Sequence, residues 1–427
     1  MSEVTLDQKR MLKAAFLTFF IDMFDVYLPI TVLAPAMEHF VPKSLPVSEV
    51  STIYFLIFTA TLIGRPIGAF LFGHYSDAIG RKKMGLISIS GFSMVTLLLI
   101  FIPGFQTLGY ISVALFILLR FIDGIFLGGG YTSIVPLAIE NAPKEKRGLW
   151  GGIIGSGYPV AFVLISIITL LALKIFPKEA YQVYGWRIIF VIGVLLGVFI
   201  VYYIHKLVPE STIWLKVQDR TKSPLKELFS GKNFVSLLQV LLLMLGLWFQ
   251  IMVVAGTMSI VFIKQLNISP TLTTTVTLVS YLFLIGGYIL AGWVSQKIGR
   301  KTAFIILGIL IGFFTSLLYY LLIAGMYKNM FILFLFSALI VTVSSMAWGI
   351  VPSYINERFQ TSVRASAYGV GYTLSILIAS FYSFYMLALK AIVPYKYTQI
   401  VLLVFAGILV IIGAILGPET KEINMEQ

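Results

Sequence analysis

Five ionisable residues stand where the surrounding sequence is otherwise apolar. Asp22 and Asp25 lie in FFIDMFDVYLP, Arg65 in IGRPIGAFLFG, and Arg120 with Asp123 in RFIDGIFLGGGYT. Each i, i+3 pair falls on one face of a helix. An ionisable group at the centre of a bilayer costs about 2.5–3.5 kcal/mol on insertion scales, so it faces a cavity or a partner and marks a pathway. Burial favours the protonated form of an acid and a neighbouring arginine the ionised form. Asp22, Asp25 and Asp123 are therefore candidates to bind and release a proton. Arg65 and Arg120 keep their charge and present a planar fork that suits a carboxylate, which makes them candidate substrate anchors. Spacing does not rank Asp22 against Asp25. A static pair between Arg120 and Asp22 or Asp25 is the competing structural reading.

The elements that must hold these charges are membrane helices. The 427 residues are 59% hydrophobic and 11% charged, against about 25% charged in a soluble domain. Twelve apolar runs, from 14–36 to 397–417, are long enough to span a bilayer. The first is read as a retained span, because MSEVTLDQKRMLKAAF leads into it and no small-residue cleavage site follows. Six runs precede and six follow the polar stretch from Lys206 to Lys232. The expected division is an N-terminal bundle at 1–206, a linker at 207–232 and a C-terminal bundle at 233–427. The chain reads as an all-α integral membrane protein, with twelve transmembrane helices in two six-helix pseudo-repeat bundles.

The net charge of +13 does not point to nucleic acid. If the N-terminus is inside, about two-thirds of the Lys and Arg residues fall in segments on that side, as the positive-inside rule requires. Both termini and the linker are thus expected in the cytoplasm, with the chain in the cell membrane. The absence of cysteine excludes disulfides and thiolate metal sites, and His39, His74 and His205 are widely separated. No cofactor or metal is expected. No G-x-x-x-x-G-K-[ST] stretch is present to drive a nucleotide-powered pump. No nucleophile, base and acid set suggests an enzyme. A channel would call for a pore-lining ring or filter.

The C-terminal runs offer Trp248, Gln250, Tyr281, Trp348 and Tyr372 at depth rather than charges. With Tyr27, Tyr131 and Tyr158, they are the expected apolar and hydrogen-bonding surface for a substrate. Glycines crowd the fourth and fifth runs, at Gly124, Gly128, Gly129, Gly130, Gly151, Gly152 and Gly155, as tight helix packing in lipid requires. Gly157-Tyr158-Pro159 is a candidate bend.

The clearest motif lies outside the apolar runs. GHYSDAIGRKK, from Gly73 to Lys83, returns half a chain later as GWVSQKIGRKT, from Gly292 to Thr302. Gly73, Gly80, Arg81 and Lys82 find counterparts in Gly292, Gly299, Arg300 and Lys301, while Asp77 becomes Gln296. A period of half the chain signals two similar halves.

These residues resemble the major facilitator superfamily, whose signature loop Gly73, Asp77, Gly80, Arg81, Lys82 and Lys83 match. ENAPKEKRG, with Glu140, Pro143, Arg147 and Gly148, resembles its pattern after span four. Glu357 and Arg364 in ERFQTSVRA are the partner without the proline. PESTIWL at Pro209 and PET at Pro418 are paired exits from spans six and twelve. RPIGAFLFGHYSDAIGRKK, RFIDGIFLGGG and the Asp22, Asp25 pair look like the metabolite and organic-acid proton symporters, and the acidic pair also resembles the aromatic-acid and sialate/lactate groups. Gly130 stands where metabolite symporters often carry glutamate.

The resemblance implies a monomeric proton-coupled symporter of a small organic acid. A proton-coupled or facilitative sugar transporter of the same fold stays open. It also implies gating at Gly73, Asp77, Gly80, Arg81, Lys82, Glu140, Arg147, Gln296, Arg300, Glu357 and Arg364. Arg81 would pair with Glu140 and Arg300 with Glu357. Asp77 would accept from a helix N-terminus, and the Gln296 copy would hold more weakly.

Overall fold

A computed structural model describes residues 4–42, 44–45, 47–216, 223–327 and 329–425. Among the described residues, twelve helices are long and apolar enough to cross a membrane. They are α1 (Leu6–His39), α2 (Leu56–Ile79), α3 (Arg81–Ile100), α4 (Ile111–Glu140), α5 (Lys144–Ile175) and α6 (Lys178–Leu207), then α7 (Gly231–Ile263), α8 (Pro270–Ile298), α9 (Arg300–Ile323), α10 (Met330–Arg358), α11 (Arg364–Leu389) and α12 (Tyr395–Leu416). Each corresponds to one expected run. Many extend further into polar sequence, because the backbone continues to bond internally once the apolar stretch ends. α1, for example, begins at Leu6 behind a capping box of Thr5 and Gln8, which satisfies free N–H groups at that end.

Two short helices, Thr212–Lys216 and Pro224–Leu228, lie in the expected linker, whose residues 217–222 are outside the described residues. The two termini share one face. Gln8 there donates to the Asn141 carbonyl, and Arg147 to the Ile423 carbonyl.

Several helices are interrupted. α5 turns at Ser156, between Arg147–Gly155 and Gly157–Ile175. Pro159 follows three residues on and has no N–H to continue the ladder. α10 tightens into a 3₁₀ turn at Met346–Gly349 ahead of Pro352. α11 is divided into Arg364–Thr373, Ile376–Ala379 and Tyr382–Leu389. Large apolar side chains such as Leu195, Phe313 and Phe384 are exposed along the spans, as they are where the solvent is lipid.

Close packing of α2 on α4 fixes the charged core. A Cβ at Gly124 would lie 2.2 Å from the Thr61 carbonyl oxygen, and one at Gly128 2.3 Å from that of Arg65. These glycines let the two backbones meet, as small residues do between helices in lipid. The halves meet chiefly on the face that carries the termini, through α2 against α11 and α5 against α8.

Candidate functional site

Asp22 and Asp25 sit on α1 as the i, i+3 spacing predicts, but they serve different partners. Arg65 Nη2 donates to Asp22 Oδ2 at 3.0 Å, with both side chains buried. The Arg65 guanidinium also lies over the Tyr131 ring, 4.9 Å from its centre. Asp25 instead joins Arg120, whose Nη1 donates to Asp25 Oδ1 at 2.5 Å and to Asp123 Oδ2 at 2.6 Å. Arg120 Nη2 reaches the Asp25 carbonyl at 3.2 Å, and the Thr96 hydroxyl completes the Asp25 carboxylate. Buried charges cost several kcal/mol each unless paired and hydrogen-bonded. Here two arginines face three carboxylates. Asp22 Oδ1 and Asp123 Oδ1 have no hydrogen-bond partner.

A central cavity adjoins this cluster. Its lining combines Phe19, Met23, Tyr27, Phe58, Arg65 and Tyr158 with Trp248, Met252, Tyr288, Trp348 and Tyr372 from the other half. Arg65 is the charged residue in the lining. Trp248, Trp348 and Tyr372 pack edge to face, and Trp248 Nε1 donates to the Tyr372 carbonyl at 2.7 Å. Tyr158 shares a 2.8 Å hydrogen bond with Tyr281.

Of the expected substrate contacts, Tyr27, Arg65, Tyr158, Trp248, Trp348 and Tyr372 therefore line the cavity. Tyr131 lies beneath Arg65. Tyr281 stands one layer back, stacked on Phe162. Gln250 is occupied with Ser344, Ser345 and the Trp348 Nε1. Arg120 needs a correction as a substrate anchor. It is fully buried, held by two carboxylates and absent from the cavity wall. The i, i+3 acid on its own helix captures it. Tyr288, Phe58 and Met252 were not anticipated, since nothing in an apolar run marks which face turns inward.

On the face with the termini, the two loop copies form two contacts between halves. Asp77 accepts from Ala365 N at 3.0 Å, Ser366 N at 2.8 Å and Ser366 Oγ at 2.6 Å. These N–H groups open α11, where the helix dipole is positive. Gly73 makes the approach close, with a Cβ there falling 2.8 Å from Ser366 Cα. Arg81 pairs with Asp77 and, at 3.0 Å, with Glu140. It also donates across to the Thr361 carbonyl at 2.9 Å. Glu140 accepts a second, inter-half arginine, Arg364, at 3.0 Å.

In the other copy, Gln296 Oε1 accepts from Gly148 N at 2.8 Å and from Arg300 at 2.7 Å, and its amide donates to the Lys144 carbonyl. Arg300 pairs with Glu357 at 3.0 Å. Arg147 has a different role from Arg364, because it binds the C-terminal tail at the Ile423 carbonyl, 2.7 Å away.

Glu210 and Glu419, which the sequence reading did not single out, cap the helix starts that follow the two loops. Gly80 and Gly299 hold φ of +125° and +97°, which only glycine adopts cheaply, and each is followed directly by a helix start. Glu210 accepts from Lys82 N at 3.0 Å, and Glu419 from Arg300 N at 2.8 Å and Lys301 N at 3.1 Å. The next residues repeat the symmetry. Ser211 donates to Glu140 at 2.5 Å and Thr420 to Glu357 at 2.8 Å. The signal was present as the paired PES and PET. Lys82 also reaches the His205 carbonyl through its ammonium group.

Twelve spans in two similar sets, a central cavity beside a buried charge cluster and polar contacts between the halves on one face define a multi-pass membrane transporter. The chain belongs to the Major Facilitator Superfamily, whose family model matches residues 15–383. Among its relatives, the shikimate transporter of Escherichia coli (strain K12) is 26% identical over 96% of this chain and 94% of its own. The sialic acid transporter of the same organism is 28% identical over 87% and 85%. A solved proton:xylose symporter superposes with a TM-score of 0.78 at 20% identity, covering 99% of this chain and 98% of its own. That likeness establishes the fold.

Proposed function

We propose that the protein is a proton-coupled symporter of a small carboxylate, working as a monomer by alternating access between its two six-helix bundles. The observation that carries this reading is Arg65, a guanidinium in the wall of an otherwise aromatic and aliphatic cavity, backed by buried carboxylates. Five N–H donors in a fork match a carboxylate, and the surrounding rings supply area for an organic body. Shikimate and sialic acid, which name two of the relatives, are both carboxylates. The face with the termini is cytoplasmic on this reading. Its closed contacts then leave the protein turned towards the outside, ready to take up both ligands.

Purified protein in liposomes should accumulate a labelled carboxylate when the proton gradient points inward. Equal uptake with and without the gradient rejects the coupling. Arg65→Lys should weaken carboxylate binding by about tenfold or more, because a point charge replaces a planar fork. Unchanged binding rejects the anchor.

A further inference from the structure

We infer that Asp22 carries the coupled proton, and that Asp25 and Asp123 hold a separate, resident proton between them on Arg120. The inference rests on the carboxylate symport proposed above and assigns a role to each acid. With Asp22, Asp25 and Asp123 ionised against Arg65 and Arg120, the buried core carries one unbalanced negative charge. Such a charge is expensive in a low-dielectric interior, and one proton removes it. Geometry locates that proton. Asp25 and Asp123 converge on the same Arg120 nitrogen, at 2.5 and 2.6 Å, so two like charges share one cation. Asp22 has Arg65 to itself at 3.0 Å.

The second proton follows from the cavity. Among the described residues, the hydrogen bond to Asp22 is the only one the Arg65 side chain makes, and its Nε has no partner. Arg65 lines the cavity, whereas neither Asp22 nor Arg120 does. An incoming carboxylate therefore meets Arg65 first and competes with Asp22 for its guanidinium. Asp22 then stands buried without its cation, with Oδ1 already bare.

The groups that bear on Asp22 are Arg65 from α2, Tyr131 and Asp123 from α4, Tyr368 and Tyr372 from α11, and Asp25 on α1. Only Arg65 among them is cationic. One proton from water on the open side bonds to the Asp22 carboxylate and restores neutrality, while the substrate carboxylate takes Arg65. Substrate and proton thus enter together, one of each, with no net charge moved. The Arg120 set keeps its own proton throughout and holds α1 to α4.

Infrared spectroscopy of the protonated-carboxyl band, together with liposome uptake, tests the assignment, using shikimate and sialic acid as probes. If wild type accumulates neither under an inward proton gradient, the carboxylate symport fails and this inference with it. If wild type accumulates one of them, adding that probe should add a second protonated-carboxyl band to one already present. Asp123→Asn should remove the first band. Asp22→Asn should lack the second, and should lose gradient-driven accumulation at least tenfold more than it loses substrate exchange. Gradient-driven accumulation surviving in Asp22→Asn overturns the assignment while leaving symport intact. So does the absence of an added band in wild type, a measurement that needs no variant to fold.

Discussion

The two loop copies on the face with the termini share a backbone but not a chemistry. Around Asp77 the contact between halves is ionic. A carboxylate meets the N-terminus of α11, and Glu140 binds Arg364 across the divide. Around Gln296 it is neutral, with an amide meeting the N-terminus of the α5 helix at Gly148. Hydrogen bonds with a charged partner contribute about 1.5–3 kcal/mol, against about 1 for neutral ones.

The C-terminal tail braces the neutral side as well, with the Ile423 carbonyl on Arg147 and Glu422 on Lys144 at 2.9 Å. Met425, fully buried, anchors the tail beside Thr361 and Arg364. One repeat unit has thus diverged into an ionic contact and a neutral contact with a strap. The difference shows that internal symmetry in sequence does not imply equal energies in the fold.

The comparison can be broken at its strongest point first. Asp77→Asn should raise the labelling rate of a cysteine introduced at Ser353, buried between the halves, by about tenfold, since it removes the charged partner of α11. The chain has no native cysteine, so the background is clean. An unchanged rate means that Asp77 does not hold this face shut.

Removing residues 422–427 deletes the strap but spares Glu419 and Thr420. The same rate should rise about threefold to fivefold from the lost arginine contacts. Gln296→Ala should raise it about twofold to threefold, the scale of a neutral hydrogen bond. Combined with the truncation, it should exceed the product of the two single fold-changes, because both act on α5. A double variant at that product would separate tail and amide.

The smallest effect concerns Glu210. Burial lifts its carboxyl above the ordinary 4.5, opposed by the Ser211 and Lys82 backbone N–H groups. A raised folded value means the native state binds the proton more tightly, so stability should fall as pH rises from about 4.5 through the raised value. Glu210→Gln should flatten that stretch of the thermal-denaturation profile. A profile that keeps its slope assigns the pH dependence elsewhere.

Much of the fold was legible from the sequence because a bilayer is an exacting solvent. Twelve runs had to be helices, since only internal bonding satisfies a backbone in lipid. The pairings of Arg81 with Glu140 and Arg300 with Glu357, and the docking of Asp77 on a helix start, were implied by the family resemblance of the loop motifs. The anchor role expected of Arg120 did not follow, because spacing along α4 does not reveal that Asp123 and Asp25 claim the same guanidinium. Gln250 and Tyr281 look like substrate contacts when only depth is known. Their neighbours from other helices place them behind the wall.

By itself, then, the sequence determined the number of spans, the internal repeat, the identity of the buried charges and the loops that close one face. These depend on composition and short-range spacing, which the bilayer and the helix translate directly. Tertiary structure alone decided which acid met which arginine. Asp22 and Asp25 are one helical turn apart, and the glycine-permitted contact of α2 with α4 sends one to the cavity-facing Arg65 and the other to the enclosed Arg120. That choice depends on the relative rotation of three helices, which no single run encodes.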